Sequence, residues 1–233
     1  MQAPNYPSIF NDVIGPVMRG PSSSHCAAAL RIGRLCRDLM DGVFTSVLVE
    51  FDPSGSLATT HKSQGSDMGL FGGLLGWEAH DERLPDYENA MALAGIKIQI
   101  EITDLQYKHP NAYQVTLSNQ KEARRLVAIS TGGGMIEVLE IDGAAVSMLG
   151  DYEETLIYGA NTASVQAYIA AQFDYDHLIV HEGEIPMVEV KSQQALKDTQ
   201  IEELLAISGV HAVKRLSPVV PIMSRKGLEV PFI

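Results

Sequence analysis

From Glu154 to Leu216 the chain switches between two periods in one fixed order. Strand-like runs at Glu154–Tyr158, His177–His181, Met187–Val190 and Val210–Leu216 are separated by helical stretches at Ala163–Phe173 and Thr199–Ser208. Strand, helix, strand, strand, helix, strand is the ferredoxin-like supersecondary pattern, and it constrains the fold more than any other feature here.

The preceding residues are less regular but belong to the same class. Ile96-Lys-Ile-Gln-Ile-Glu-Ile102 alternates strictly, as a half-buried strand does, and follows a short helix at Tyr87–Ala94 that Gly95 stops. Further strands are predicted at Ser46–Phe51, Ala112–Leu117, Leu126–Thr131 and Met135–Ile141, in an antiparallel or mixed sheet. Gly55–Thr60 reads as a hairpin partner of Ser46–Phe51 across a turn containing Pro53. A helix from Ser22 to Gly42 carries Ala28, Ile32, Leu35 and Leu39 on one face, with a serine N-cap and a closing glycine. Asp67–Trp77 has the length of a second helix, and its four glycines, Gly69, Gly72, Gly73 and Gly76, point to close packing. The expected fold is α+β: a two-layer domain over 1–150, a βαββαβ domain over 151–217, and an apolar, proline-interrupted tail over 218–233 that packs on a neighbour.

Charge narrows the partners. Seventeen Lys and Arg against 29 Asp and Glu leave a net charge of −12, a field that disfavours nucleic acid and anionic membrane. No apolar run reaches the length of a spanning helix and the first residues lack a secretory pattern, so the cytoplasm is the expected address. The two cysteines, Cys26 and Cys36, build neither a disulfide framework nor an all-cysteine metal or cluster site.

Chemistry concentrates in a few segments. Ile14-Gly-Pro-Val-Met-Arg-Gly-Pro-Ser-Ser-Ser-His25 delivers three hydroxyls and an imidazole to a helix start, where free N–H groups suit a carboxylate. His25 is placed to act as a general base, and helix capping is the plainer explanation of the serines. Thr60-His-Lys-Ser-Gln-Gly-Ser-Asp67 is read as a loop before a helix, with Ser66 or Asp67 as cap. The glycine run of Ser130-Thr-Gly-Gly-Gly134 suits a small ligand but matches neither a dinucleotide nor a P-loop motif. Lys108-His-Pro-Asn111 is a proline turn that presents a histidine and an amide, and Tyr158-Gly-Ala-Asn161 is a corner suited to an effector or to oligomerisation. His177 and His181 lack an evident third ligand for a metal.

Taken together in order, these segments resemble a known family. Ile14–His25 followed by Ala28-Ala-Leu-Arg-Ile-Gly-Arg34 is similar to the signature of the beta chain of iron–sulfur-dependent L-serine dehydratase, also called L-serine ammonia-lyase. Gly55-Ser-Leu-Ala, Gly65-Ser-Asp67, Gly72-Gly-Leu-Leu75, His109-Pro-Asn111 and Ser130-Thr-Gly-Gly-Gly-Met-Ile-Glu137 extend the likeness over about residues 8 to 150. The resemblance implies a first domain like the allosteric substrate-binding domain of phosphoglycerate dehydrogenase, then an ACT-like domain.

It also implies deamination of L-serine to pyruvate and ammonia at a [4Fe–4S] cluster whose open iron acts as a Lewis acid on the substrate hydroxyl. Such a cluster needs about three cysteine thiolates, so it is assigned to a separate alpha chain, and the beta chain is expected to form a homo-oligomer as well. Ser22, Ser23, Ser24, Gln64, Gly65, Ser66, Asp67, Asn111, Gly132 and Gly133 are the implied substrate-binding residues, with His25 and His61 the candidate acid or base.

The chain departs from the family pattern at three places. Where the family carries Gly-His-Gly-Thr-Asp, this sequence reads Ser63-Gln-Gly-Ser-Asp67, and Gln64 cannot take a proton; His61, three residues earlier, is the candidate substitute. Cys26 replaces a usual threonine, and Gly159-Ala-Asn-Thr-Ala163 lacks the turn of many amino-acid-binding ACT domains. Two rival readings stand beside the enzyme: a non-catalytic module that senses serine or another small acid, and a ligand-free homo-oligomeric scaffold.

Overall fold

A computed structural model describes residues 17–183 and 185–220. The beginning of the Ile14–His25 run and the tail from 221 onward lie outside the described residues.

The chain is α+β, with strands in two sheets. In the first, β1 (Ser46–Phe51), β2 (Lys97–Ile102), β3 (Ala112–Ser118), β4 (Ala123–Gly132), β5 (Met135–Ile141) and β6 (Ala144–Met148) lie in the order β2-β1-β3-β4-β5-β6. The sheet is mixed: β1 runs parallel to β2, with Val49 opposite Ile100, and the remaining pairs are antiparallel. Helices α1 (Ala28–Leu39) and α3 (Ser66–Leu74) cover one face, burying Ile32, Leu35, Leu39, Leu70 and Leu74 with Val47, Val49, Phe51, Tyr113, Val115 and Leu126. Each such large side chain contributes roughly 1.5–3 kcal/mol by leaving water. Helix α4 (Tyr87–Leu93) leads into β2.

The glycines of α3 have the packing role expected of them. A Cβ at Gly69 would lie 2.0 Å from the Cys26 carbonyl oxygen, so the two backbones touch and only glycine fits.

The proposed hairpin at 46–60 does not form. Both edges of β1 are taken by β2 and β3, so no position remains for a third partner. Residues 57–60 instead wind into a short helix, α2 (Leu57–Thr60), which drops Leu57 into the core. The first helix also begins differently from its expectation, through a wide turn at Ser23–Ala27 described below. Strand β6 had no counterpart in the sequence reading.

The second sheet contains β7 (Glu153–Gly159), β8 (His177–His181), β9 (Met187–Ser192) and β10 (Val210–Leu216), all antiparallel, in the order β10-β7-β9-β8. With α5 (Thr162–Gln172) and α6 (Asp198–Leu205) between them, the strand–helix order read from Glu154 onward is present. One face packs Ile157, Val188 and Val190 against Val165, Ile169 and Leu204. Leu156, Tyr158, Met187 and Leu216, on the other face, join the core of the first sheet.

Polar bonds cross the same junction. Tyr158 donates to Asp142 at 2.8 Å beneath the Arg124 guanidinium, and Lys214, 4% exposed, meets Asp41 and Glu122 at 2.7 and 2.8 Å. Among the described residues no helix is long and apolar enough to cross a membrane.

Candidate active site

Gly20, at φ 115°, and Pro21 bring the chain into an extended Ser22, after which Ser23–Ala27 forms a π-helical turn. The Ala28 N–H reaches back five residues to the Ser23 carbonyl, a widening often associated with functional positions. Capping does not account for the serines, because the Ser22 side chain makes no cap hydrogen bond. Its hydroxyl stands 3.1 Å from Ser24 Oγ and 3.1 Å from His25 Nδ1, and Ser24 Oγ lies 3.3 Å from the same nitrogen. Ser23 is half-buried in the same turn.

The other side of the His25 ring meets α2. Thr60 Oγ1 donates to the Ser56 carbonyl at 2.6 Å and lies 3.5 Å from His25 Nε2. With its proton committed to Ser56, the threonine accepts from Nε2–H, which leaves Nδ1 to accept from the serine hydroxyls. Burial lowers the pKa of His25 from its ordinary value, so the neutral ring predominates at pH 7.

His61 ends the same helix and has a different partner. Its Nδ1 lies 2.7 and 2.9 Å from the two carboxylate oxygens of Asp67, which is 3% exposed. The His61 carbonyl accepts from the backbone N–H of Ser66 at 2.8 Å and of Asp67 at 3.3 Å, and the Phe51 ring centroid lies 5.2 Å from the imidazole. Ser66 Oγ is buried and accepts from Tyr113 at 3.1 Å, while Gly65, at φ 84°, supplies the left-handed turn into α3. Gln64 is half-buried and its N–H donates to the Thr60 carbonyl.

Asn111 ties α2 to β4. Its side-chain oxygen accepts from Ser56 Oγ at 2.6 Å, and its backbone carbonyl accepts from Ser130 N–H at 3.0 Å. Ser130 is 1% exposed and its hydroxyl has no partner among the described residues, although β4 packs against the Ser23–Ala27 turn. Gly132 (φ 105°), Gly133 (φ 63°) and Gly134 (φ 88°) then take conformations that side chains resist. The buried Arg31 guanidinium anchors this loop by donating to the Gly134 carbonyl.

The structure therefore links the serine turn, α2, Asn111 and the head of the glycine run through hydrogen bonds. Sequence reading missed Ser56, Thr60 and the orphaned Ser130 hydroxyl; the usable signals were the hydroxyl beside His61 and the serine heading the glycine run. Other candidates are occupied elsewhere: His109 Nδ1 accepts from the Asn111 N–H, His181 binds Glu189 at 2.6 Å, and His177 packs on Tyr152. Asn161 caps α5. Cys26 and Cys36 are both buried and free, and the described residues contain no group of three or more metal-ligating side chains suited to an ion.

No protein-family profile matches the chain. Among curated proteins it is 33% identical over 220 residues to "Probable L-serine dehydratase, beta chain" of Bacillus subtilis (strain 168), covering 91% of this chain and 99% of that protein. It is 32% identical over 162 residues to "L-serine dehydratase, beta chain" of Peptoniphilus asaccharolyticus, covering 69% of this chain and 72% of the relative.

Proposed function

The chain belongs to the L-serine dehydratase beta-chain family, and from that membership we propose that it is the beta subunit of a heteromeric L-serine ammonia-lyase, active with an alpha chain. The reaction class is conversion of L-serine to pyruvate and ammonia. The observation that carries the reading is the convergence of Ser22 and Ser24 on the neutral His25 ring, with Ser22 making no side-chain cap hydrogen bond.

In this reading the helix start, with Ser22, Ser23 and Ser24, receives the substrate carboxylate. Asn111, just ahead of β3, and Gly132 and Gly133, where β4 ends, are assigned to the same substrate. His25 holds the serine hydroxyls and exchanges protons within their reach. A [4Fe–4S] cluster, where bound in the complex, would supply a Lewis acid toward the substrate hydroxyl. This chain's residues do not fit that cluster: it has two cysteines, both buried, and Cys26 Sγ donates to the Arg19 carbonyl at 2.9 Å. The cluster accordingly belongs to the alpha chain. The second sheet is an ACT-like unit over 151–217, and the first resembles the allosteric substrate-binding domain; the beta chain self-associates in the cytoplasm.

The test is pyruvate release from L-serine by the chain co-expressed anaerobically with a cysteine-bearing alpha chain. Turnover should require both chains and should vanish in His25→Ala while that variant retains its thermal unfolding transition. Gln64 favours a second reading, a serine-sensing module; stable co-assembly with an intact cluster, saturable serine binding and no turnover would select it.

A further inference from the structure

Two histidines adjoin α2, His25 through Thr60 and His61 at its end, and their surroundings differ in kind. His25 offers Nδ1 to hydroxyls and directs Nε2 toward Thr60, so both ring nitrogens have neighbours. His61 has Nδ1 against a buried carboxylate, while Nε2 makes no hydrogen bond among the described residues and the side chain is 23% exposed. Gln64 has no basic nitrogen, so His61 carries the imidazole between Thr60 and Asp67.

Asp67 is held for one geometry. It lies in the first turn of α3, its backbone N–H donates to the His61 carbonyl, and its carboxylate returns to the His61 ring, so the pair is closed through both main chain and side chain. Tyr113 fixes the neighbouring Ser66, and Phe51 lies beside both the Tyr113 and His61 rings. A carboxylate at Nδ1 selects the tautomer whose lone pair is on Nε2 and stabilises the imidazolium formed when Nε2 gains a proton. At 3% exposure Asp67 is poorly placed to touch substrate itself.

We propose that Asp67 is a positioning residue that acts through His61, orienting Nε2 as the proton acceptor of this site. The assignment rests on the dehydratase reading for its substrate: the proton leaves the α-carbon of L-serine for Nε2, the electron pair of the broken C–H bond stays on the substrate, and the Nδ1 proton stays on the imidazole, donating to Asp67.

The experiment uses Asp67→Asn, which keeps an acceptor oxygen and the volume, with His61→Gln beside it. In the full beta chain, ¹⁵N NMR of the imidazoles should show the Nδ1–H tautomer of His61, with Asp67→Asn shifting it toward a mixture and lowering the ring's titration midpoint. In the reconstituted complex, Asp67→Asn should reduce kcat about 100-fold with KM for L-serine changed less than threefold, and His61→Gln should reduce it at least as far. An unchanged kcat, or a raised KM at preserved kcat, overturns the proposal. So does a His61 ring whose tautomer and midpoint are indifferent to Asp67. A wild-type complex with no serine turnover sinks the dehydratase reading and the His61 role with it, whereas the NMR result still decides whether Asp67 governs the ring.

Discussion

A Cβ on Gly73 would stand 2.1 Å from the carbonyl oxygen of Leu30, so α3 and α1 meet there backbone to backbone. Gly33 repeats the relationship from the other side, 2.2 Å from the Leu70 carbonyl oxygen. Gly73→Ala must therefore separate the helices and should lower stability by about 1–3 kcal/mol or more. Gly183→Ala, where a Cβ meets nothing within 4 Å among the described residues, should stay within about 0.5 kcal/mol of the parent. Urea midpoints at constant slope measure both; equal effects would contradict the close approach.

Glu154 is 2% exposed on β7, with Lys191 Nζ 3.3 Å away and neither carboxylate oxygen hydrogen-bonded among the described residues. Burial outweighs the lysine and pushes its pKa from 4.5 up to about 8. Between those values the folded chain holds a proton that the unfolded chain has lost, so this group makes stability fall as pH rises through the window. The slope from this residue is at most about 1.4 kcal/mol per pH unit. Relative to the parent, Glu154→Gln should be increasingly stabilising from pH 5 to pH 8. Parallel stability curves for the two proteins would show that Glu154 is ionised throughout.

The thiols of the first helix should be inert. Burial pushes the Cys26 pKa up to about 11, and Cys36, fully enclosed, is raised as well. Labelling by a disulfide reagent at pH 8 should run at least tenfold slower in the native chain than in urea. Stoichiometric iron bound by the isolated chain would oppose the assignment of the cluster to a partner.

These chemical assignments were only partly legible in the sequence. Alternation identified Ile96–Ile102 because that strand lies at a sheet edge, where period two survives. Gly55–Thr60 misled because four helical residues bury Leu57 just as a strand would, and what excludes a strand is the occupancy of both edges of β1, a non-local fact. β6 was readable: Asp142 and Gly143, at φ 50° and 87°, form the two-residue turn that an Asp-Gly pair signals between apolar runs. The serines and His25 were visible as types, whereas their release from capping depends on the π turn. The hold of Asp67 on His61 depends on how α3 starts, which spacing alone does not specify.

Arg31 is 7% exposed and donates to the Gly134 carbonyl and the Met135 sulfur, with no carboxylate within salt-bridge distance among the described residues. Burial lowers its pKa, and an unneutralised guanidinium in that position costs stability that one or two hydrogen bonds only partly offset. The bond it does make fixes the third of three glycines in left-handed conformations, beside the β4 segment that carries the orphaned Ser130 hydroxyl. Arg31→Met removes the buried charge and leaves one carbonyl unsatisfied, two effects of opposite sign, so its urea stability should stay within about 1 kcal/mol of the parent. The loop loses its anchor in the same variant, and KM for L-serine in the reconstituted complex should rise about tenfold. Severe destabilisation would instead make Arg31 a structural tie, and an unchanged KM would remove the glycine loop from the substrate's surroundings.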